Sequence, residues 1–305
     1  MSRILVIGMN GQVGFELMRG LAGLGQVTGV DMDRMDLSRP DSIRETVREI
    51  GPDLIVNAAA YTAVDQAEAE PELAHAVNGI APGILAEEAK RLGAALIHYS
   101  TDYVFDGTKA TPYTEEDEPR PLNVYGATKL AGERAIQAVD APHLILRTSW
   151  IYGMRGKNFL LTMLRLARER DELSIVDDQV GAPTWSRALA ELTGGILQRL
   201  GCGKPGFNEA CKERSGIYHA SAAGRTSWHG FATAILANAA GRQPGESEWA
   251  LERVPRLKPI ASEQYPSPAR RPRNSLLANA KLQHAFGLSM PDWKTSLAIC
   301  MSSKQ

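Results

Sequence analysis

Short apolar runs alternate with stretches of helical periodicity through the first half of the chain. Runs rich in Val, Ile and Leu that end at a glycine or a polar residue are typical of buried strands. Such runs occur over Ile4–Gly8, Gln26–Asp31, Leu54–Ala59, Leu96–Ser100 and Leu144–Ser149. The stretches between them carry apolar residues at the period of an amphipathic helix. The sequence therefore predicts strands and helices in alternation.

Two of these helices have clear limits. One is predicted to begin at Pro40 and to end at Gly51, because proline fits the first turn of a helix and glycine fits the position just after its last turn. The other is predicted over Val124–Val139. Strands that alternate with helices imply right-handed crossovers and a parallel sheet covered on both faces. We therefore predict an α/β fold with a Rossmann-like, doubly wound parallel sheet over residues 1–150.

The second half of the chain has a less regular pattern. Helices are predicted from Phe159 to Ala167, from Leu189 to Leu197 and from Trp228 to Asn238. Residues 201–216 are predicted as a surface loop, and residues 255–275, which carry five prolines, as an ordered loop or lid. We expect residues 151–305 to form a smaller C-terminal substrate-binding domain that is interwoven with the sheet.

Composition and charge exclude several classes of function. The 305-residue chain has a formal net charge of -1 and lacks the basic surface that nucleic-acid binding requires. Its apolar runs are shorter than the ~20 residues of a membrane helix, and the first of them is too short for a signal peptide. Three cysteines without metal-site spacing, Cys202, Cys211 and Cys300, are typical of free thiols in a reducing compartment. We expect a cytoplasmic protein with no nucleic-acid or membrane partner.

Glycines at positions 8, 11 and 14 lie between the first strand and the first helix. Glycines in this place allow a tight turn and a close approach of the backbone to a pyrophosphate, which the free N–H groups of the helix N-terminus can bind. Asp31 ends the second strand, where an acid can bond an adenosine 2′-hydroxyl. Arg34 lies nearby and would favour a 2′-phosphate. The sequence therefore predicts a nicotinamide dinucleotide site and leaves NADH and NADPH open.

Tyr125 and Lys129 lie one helical turn apart on the same predicted helix. A tyrosine has an ordinary pKa of about 10, and we expect the nearby ammonium to lower this pKa enough for acid catalysis. Thr101 follows the fourth strand directly, at the sheet edge where ligands bind, and its hydroxyl can reach both the substrate carbonyl and the phenol. We predict Tyr125, Lys129 and Thr101 as catalytic residues.

Several blocks of sequence resemble the dTDP-4-dehydrorhamnose reductases, a branch of the extended short-chain dehydrogenase/reductase superfamily. The resemblance runs along nearly the whole chain and is carried by Gly8–Gly14, Asn57–Asp65, Ser100–Gly107, Asn123–Gly132, Arg147–Gly153, Asp178–Thr184 and Pro268–Leu276. It implies the last step of dTDP-L-rhamnose synthesis, in which NADPH or NADH delivers hydride to the C4 ketone of a dTDP-bound sugar.

The resemblance also implies roles for particular residues. Tyr125 would be the proton donor with Lys129 as its partner, and Thr101 would tune the proton transfer. The implied cofactor-binding residues are Gly8, Gly11, Gln12, Val13, Gly14, Asp31, Asp36, Leu37, Ala60, Tyr61, Thr62, Tyr125 and Lys129. For Asp36 and Leu37 a purely structural role is equally compatible with the sequence. Thr101 and Asp102 would touch the sugar, and Trp150 would pack on it.

Arg270 and Arg271 lie in the proline-rich segment, and a guanidinium suits the recognition of a diphosphate. We predict Arg271 as a substrate-binding residue, with a solvated charge pair as the alternative. Some members of the family carry an intersubunit magnesium site made of glutamates. Glu16 matches one ligand, but the position of another is occupied by Arg187, whose positive charge opposes a metal. We therefore predict no metal.

Other interpretations stay open at this stage. A related nucleotide-sugar epimerase, dehydratase or reductase would share the fold. A dehydratase would place a glutamate after Asp102, where this chain has Tyr103. A non-catalytic protein like the regulatory subunits of methionine adenosyltransferase would keep the fold without turnover, and the presence of Thr101, Tyr125 and Lys129 argues against it. The sequence is compatible with both a monomer and a homodimer.

Overall fold

A computed structural model describes residues 2–240, 249–251 and 253–302. Within these ranges the strands are β1 (Ser2–Ile7), β2 (Gly25–Val30), β3 (Leu54–Asn57), β4 (Ala95–Thr101), β5 (His143–Thr148), β6 (Ile151–Tyr152), β7 (Glu172–Val176), β8 (Val180–Gly181), β9 (Thr184–Trp185), β10 (Gly216–His219), β11 (Thr226–Ser227) and β12 (Arg256–Ile260).

The helices of the same ranges cover both faces of the sheet and much of the second half. They are α1 (Gln12–Gly20), α2 (Pro40–Ile50), α3 (Val64–Ala67), α4 (Pro71–His75), α5 (Ala81–Leu92), α6 (Val124–Val139), α7 (Phe159–Glu169), α8 (Ser186–Arg199), α9 (Phe207–Glu213), α10 (Trp228–Ala240), α11 (Ala280–Phe286) and α12 (Trp293–Ser302). A π-helical turn, Ala76–Ile80, joins α4 to α5, and 3-10 turns lie at Asp102–Val104 and Ser262–Gln264. Among the described helices none is long and apolar enough to span a bilayer.

A six-stranded parallel sheet with strand order β10-β5-β4-β3-β1-β2 forms the centre of the molecule. The chain moves outward from β1 to β2 in one direction and from β3 to β5 in the other, so the order reverses between β1 and β3. Ligands of such sheets bind beyond the carboxyl ends of the strands at this reversal. The predicted α/β fold with a doubly wound sheet is confirmed.

Alternate residues of each strand enter two different cores, because successive side chains of a strand point to opposite faces. Ile4 and Val6 pack with Leu17 of α1 and Leu189 of α8 on one face. Leu5 packs on the other face, in a core that helices α2, α5 and α6 complete. Both faces are covered, so the strands need apolar residues at every position, and this explains the continuous runs in the sequence.

The second half of the chain contributes more regular structure than its sequence predicts. The surface-loop prediction for 201–216 is wrong in part, because helix α9 forms there and buries Phe207 and Cys211. The loop prediction for 255–275 is also wrong in part, because β12 pairs in parallel with β7. Strand β10 joins the main sheet beside β5. We still propose that residues 151–305, which include positions outside the described ranges, form an interwoven substrate-binding domain.

Helix α6 is fixed to the sheet by a buried ion pair. Arg147 of β5 donates two hydrogen bonds to Glu133 of α6, at 2.9 and 2.6 Å, and the two side chains are 2% and 0% exposed. Ser100 of β4 donates a third hydrogen bond to the same carboxylate. Two parallel bonds between a guanidinium and a carboxylate fix orientation as well as distance. The pair therefore sets how α6 lies across β4 and β5.

We expect Glu133→Gln to destabilise the fold by about 3–5 kcal/mol, because it leaves the Arg147 charge buried without a counter-charge. Urea denaturation followed by circular dichroism measures this loss of unfolding free energy. Glu169→Gln is the control, since its pair with Arg165 is exposed and is expected to contribute no more than about 1 kcal/mol. Equal losses in the two variants would contradict the role of the buried pair.

Candidate active site

The loop after β1 forms a tight connection to α1. Gly8 has a φ of +83°, a conformation that favours glycine. A Cβ at Gly14 would lie 1.9 Å from the carbonyl oxygen of Gly8, so the helix packs directly on the loop. Gly11 is the N-cap of α1 and offers no side-chain cap, which leaves the first N–H groups of the helix free for a ligand. This geometry suits a pyrophosphate, and the binding of a cofactor at Gly8, Gly11 and Gly14 stays a prediction.

Three further predicted residues near this loop have structural partners. The Asp31 carboxylate accepts hydrogen bonds from the backbone N–H groups of Asn10 and Met32, both at 2.9 Å, and so ties β2 to the loop. Asp36 accepts bonds from the N–H and hydroxyl of Ser38, which lower the pKa of its carboxyl. Leu37 is buried in the core between the sheet and α2. The side chain of Leu37 thus has the structural role that the sequence left open.

The loop after β3 approaches the first loop and is positioned by one asparagine. The oxygen of Asn78 accepts from the backbone N–H of Tyr61 at 2.9 Å, and its amide donates to the carbonyl of the same residue at 3.0 Å. Asn78 lies in the π-helical turn before α5, and such turns are frequent at functional sites. A Cβ at Gly8 would lie 2.9 Å from the backbone nitrogen of Ala59, which shows how closely the two loops meet. Residues 60–62 are thereby held beside the glycine loop.

Tyr125 and Thr101 meet at the carboxyl edge of the sheet. Asn123 caps α6 by accepting a hydrogen bond from Gly126 N–H at 2.8 Å. A Cβ at Gly126 would lie 2.1 Å from the carbonyl oxygen of Tyr103, so the start of α6 packs directly on the turn after β4. This close packing places the Tyr125 phenol beside the Thr101 side chain, close enough for Thr101 to influence the pKa of the phenol. The structure brings these two predicted catalytic residues together.

Burial dominates the electrostatics of the site. It raises the pKa of Tyr125 to about 12, against the hydrogen bond from Thr101, which lowers it. It also lowers the pKa of Lys129 to about 8. The expectation that Lys129 makes the phenol more acidic is therefore wrong for the protein without ligand. The reason is that the ammonium donates to the carbonyl of Tyr99 at 2.7 Å and contacts Nε2 of His98 at 3.1 Å.

Asp102 follows Thr101 and is a buried carboxyl. It accepts a hydrogen bond from the Thr101 hydroxyl at 3.0 Å. Burial raises the pKa of Asp102 to about 7, although hydrogen bonds from Ser275 and Thr101 lower it. A carboxyl with this pKa can donate or accept a hydrogen bond near neutral pH. It is therefore suited to binding a sugar hydroxyl.

Trp150 has an unusual backbone and a covered ring. Its φ is +48°, a strained value for an aromatic residue. Its indole stacks on that of Trp228, with centroids 3.5 Å apart and planes at 5°. A Cβ at Gly181 would lie 2.4 Å from Cε2 of Trp150, so the ring also lies against that glycine. The predicted packing of a sugar on Trp150 would therefore use the edge of the ring or move Trp228.

Arg271 is half-buried and already has a carboxylate partner. It donates to Asp65 at 2.7 Å and to the hydroxyl of Ser267 at 2.5 Å. The carbonyl of Arg270 accepts a bond from Asn123 at 2.7 Å, while the Arg270 side chain is exposed. These contacts fasten the proline-rich segment to α3 and to the start of α6. The predicted role of Arg271 in diphosphate binding stays a prediction.

Helix α1 begins with Gln12 and Val13, which are predicted to bind the cofactor. The same helix carries Glu16, at which the sequence predicts no metal. Gln12 accepts a hydrogen bond from Asn158 at 3.0 Å, and Val13 packs on the core. Glu16 pairs with Arg187 at 3.2 Å. Within residues 2–240, 249–251 and 253–302 no group of three or more His, Cys, Asp or Glu side chains could hold a metal ion.

Sequence reasoning missed several residues that shape the site. Asn57 and His98 are polar residues within strands that the sequence predicts to be buried. A polar residue in such an apolar run is a signal that could have identified them. Trp228 carried no such signal, because an indole in an apolar helix is ordinary. Asn78 also gave none, since its role depends on the π-helical turn.

Comparison with known protein families gives one match over the whole chain. The model of the RmlD substrate binding domain matches residues 1–305. A dTDP-4-dehydrorhamnose reductase of Burkholderia thailandensis is 50% identical over 98% of both chains. A protein of the same name from Escherichia coli K12 is 46% identical over 96% of this chain and 95% of its own.

Solved structures give a consistent result. A dTDP-4-dehydrorhamnose reductase from Bacillus anthracis, solved in complex with NADP, superposes with a TM-score of 0.86 at 33% identity and covers 98% of each chain. A UDP-glucose 4-epimerase of Thermus thermophilus in complex with NAD has a TM-score of 0.76 at 19% identity, covering 98% of this chain and 97% of its own. The second likeness concerns the fold alone.

We expect Gly181→Ala to unstack the two indoles, because the added methyl group would collide with the Trp150 ring. The near-ultraviolet circular dichroism of the tryptophan band should change, and stability should fall by about 1–3 kcal/mol, the usual cost of overpacking. Gly23→Ala is the matched control, since nothing lies within 4 Å of its Cβ position. An unchanged tryptophan signal in Gly181→Ala would contradict the packing described here.

Proposed function

The chain belongs to the family of the RmlD substrate binding domain, and on that premise we propose that it is a dTDP-4-dehydrorhamnose reductase. The reaction transfers hydride from NAD(P)H to the C4 ketone of dTDP-4-dehydro-L-rhamnose and gives dTDP-L-rhamnose. The observation that carries the proposal is the placement of Tyr125 beside Thr101 at the sheet edge, on the helix that also carries the buried Lys129. Relatives at 50% and 46% identity that bear this enzyme name support the choice of substrate.

The cofactor supplies the hydride, and the chain has the groups to hold it. The uncapped N-terminus of α1 suits the pyrophosphate, and the loop at residues 60–62 lies beside it. The relative from Bacillus anthracis was solved with NADP. Near the expected ribose, Asp31 is bonded to backbone N–H groups and Arg34 pairs with the exposed Glu49, which leaves Arg34 accessible. We propose that the enzyme uses NADPH or NADH.

Tyr125 supplies the proton. With a pKa of about 12 the phenol is protonated at neutral pH, as a proton donor must be. The ketone oxygen becomes a strongly basic alkoxide as hydride reaches C4, and the proton moves to it from the Tyr125 oxygen. Thr101 lies beside that phenol, and its hydroxyl, which donates to Asp102 in this structure, can turn to donate to the same carbonyl. Lys129 is proposed to bond the cofactor ribose and to stabilise the phenolate that remains.

The sugar side of the site is proposed from residues of both halves of the chain. Thr101 and Asp102 lie at the end of β4, where hydroxyls of the sugar would be bound. Trp150 would contact the sugar through the exposed part of its ring. Arg271 would extend its charge toward the diphosphate while Asp65 fixes one side of its guanidinium. The substrate is a small molecule that needs no nucleic-acid or membrane surface.

The setting of the enzyme follows from the same observations. We propose that it works in the cytoplasm as a monomer or homodimer. Its cysteines are free thiols in the part of the chain that the structure describes, as expected in a reducing compartment.

We expect Tyr125→Phe to lower turnover by ~10²–10⁴-fold, the usual contribution of a positioned acid, with cofactor binding retained. The assay follows NADPH absorbance with the dTDP-ketosugar as substrate and is run in parallel with NADH. Tyr265→Phe is the control, because Tyr265 is 60% exposed. Intact turnover in Tyr125→Phe would show that another group donates the proton. An epimerase would consume no cofactor in the wild-type assay.

We expect a chelator to leave turnover unchanged. Arg187 already neutralises Glu16, and a cation beside a carboxylate opposes the binding of a divalent metal. The measurement compares NADPH oxidation after dialysis against EDTA with oxidation after addition of Mg2+. Loss of activity in EDTA and its recovery with Mg2+ would contradict the prediction.

A further inference from the structure

A line of buried polar side chains ends at Lys129, and its other members, Asn57 and His98, have no part in the reaction proposed above. Nδ2 of Asn57 lies 3.1 Å from Nδ1 of His98, and Nε2 of His98 lies 3.1 Å from Nζ of Lys129. The three residues are each 1% exposed. The line therefore begins in β3, crosses β4 and ends at the lysine of α6.

This line replaces apolar residues at the centre of the sheet. Asn57 and His98 are register partners on neighbouring parallel strands that are otherwise apolar up to this point. Burying an amide and an imidazole here is unfavourable unless both are hydrogen-bonded. On the side of the site, His98 contacts Lys129. The polar pair is thus directed at Lys129.

Counting protons gives two arrangements of the same heavy atoms. Burial lowers the pKa of His98 well below its usual value, so its ring carries a single proton. A charged Lys129 has donors only, so Nε2 must accept, Nδ1 carries the proton, and the oxygen of Asn57 faces the ring. A neutral Lys129 can accept from Nε2–H. Nδ1 then accepts from the Asn57 amide, whose oxygen binds Ala59 N–H at 3.2 Å.

We propose that His98, with Asn57 behind it, is a positioning residue that matches the charge on Lys129 by changing which ring nitrogen carries its proton. Either nitrogen of the imidazole can hold the proton, and the asparagine amide can present its oxygen or its nitrogen. Lys129 therefore keeps a hydrogen-bond partner in both protonation states. The consequence for catalysis rests on the proposed function, because it assumes that a charged Lys129 serves the reaction.

The groups around Lys129 determine the pH at which it loses its proton. Burial lowers the pKa of Lys129 to about 8, and Glu133 on the same helix raises it. Arg147 of β5 pairs with Glu133 and offsets its charge. His98 of β4 contacts Lys129, and burial lowers the pKa of its imidazole well below the usual value. The lysine thus loses its proton as the pH rises through a range where the protein can be studied.

The test measures the charge on Lys129 directly in the ligand-free protein. Lysine residues are labelled with 15N, the Nζ resonance of Lys129 is assigned with Lys129→Arg, and its chemical shift is followed against pH. A hydrogen bond to an ammonium is stronger than one to an amine. His98→Leu removes the acceptor, so we expect the midpoint to move about one pH unit lower.

Asn57→Asp should move the midpoint in the opposite direction. A carboxylate next to Nδ1 only accepts, so it favours the Nδ1–H form, and its negative charge stabilises the ammonium. His98→Gln keeps an acceptor oxygen and should restore a midpoint near that of the wild type. His143→Leu is the control, since His143 is a buried histidine that bonds the carbonyl of Ala141 at the far end of β5.

A lower midpoint in His98→Leu together with a midpoint near the wild-type value in His98→Gln supports the proposal, because both variants remove the imidazole and only the second keeps an acceptor. An unchanged midpoint or an upward shift in His98→Leu overturns it. If His98→Leu does not fold by circular dichroism, a midpoint in Asn57→Asp that does not rise overturns it. The pH at which NADPH oxidation falls should move with the same midpoints. Wild-type protein that titrates as expected but oxidises no NADPH would refute the proposed function alone.

Discussion

The position of helix α6 against β4 and β5 is the constraint on which the site depends. Glu133 and Arg147 fix the helix by a two-bond ion pair in the core, and Tyr125 and Lys129 lie on the preceding turns of the same helix. The close contact of Gly126 with Tyr103 fixes the first turn. Because the first turn and the middle of α6 are both fixed, packing sets the position of the phenol relative to Thr101.

The same burial that fixes the geometry pushes each titratable group toward its neutral form. The pKa values of Tyr125 and Asp102 are raised to about 12 and about 7, and that of Lys129 is lowered to about 8. A desolvated site thus makes charge unfavourable until a ligand or partner stabilises it. For Lys129, contacts with His98 and with the Tyr99 carbonyl stabilise the positive charge. A sequence argument based on the spacing of Tyr125 and Lys129 alone cannot weigh desolvation against attraction, and this is why it predicted the wrong direction.

Sequence periodicity was sufficient for the sheet and its helices, since residues buried on both faces leave a continuous apolar signal. The helix predicted over Val124–Val139 has the bounds of α6. The pattern failed where tertiary contacts decide the structure. Helix α9 is short and rich in charged residues, yet Phe207 and Cys211 anchor it to the core. Strand β12 is largely exposed and exists because β7 offers it a partner. The stacking of Trp150 on Trp228 joins residues far apart in sequence, and periodicity carries no information about such contacts.

Contacts between the two halves explain why the candidate site draws on both. Strand β10 completes the main sheet beside β5, so the second half of the chain contributes one strand to the sheet of the first half. The proline-rich segment then returns across the site. Asn123 at the start of α6 holds the carbonyl of Arg270, and Asp65 after β3 holds the guanidinium of Arg271. These bonds join the segment to the two elements that position the proposed donor and the cofactor loop. The segment that carries Arg271 and the first turn of α6, where Tyr125 lies, are therefore joined by a direct hydrogen bond, which explains how a residue so late in the chain lies next to the proposed donor.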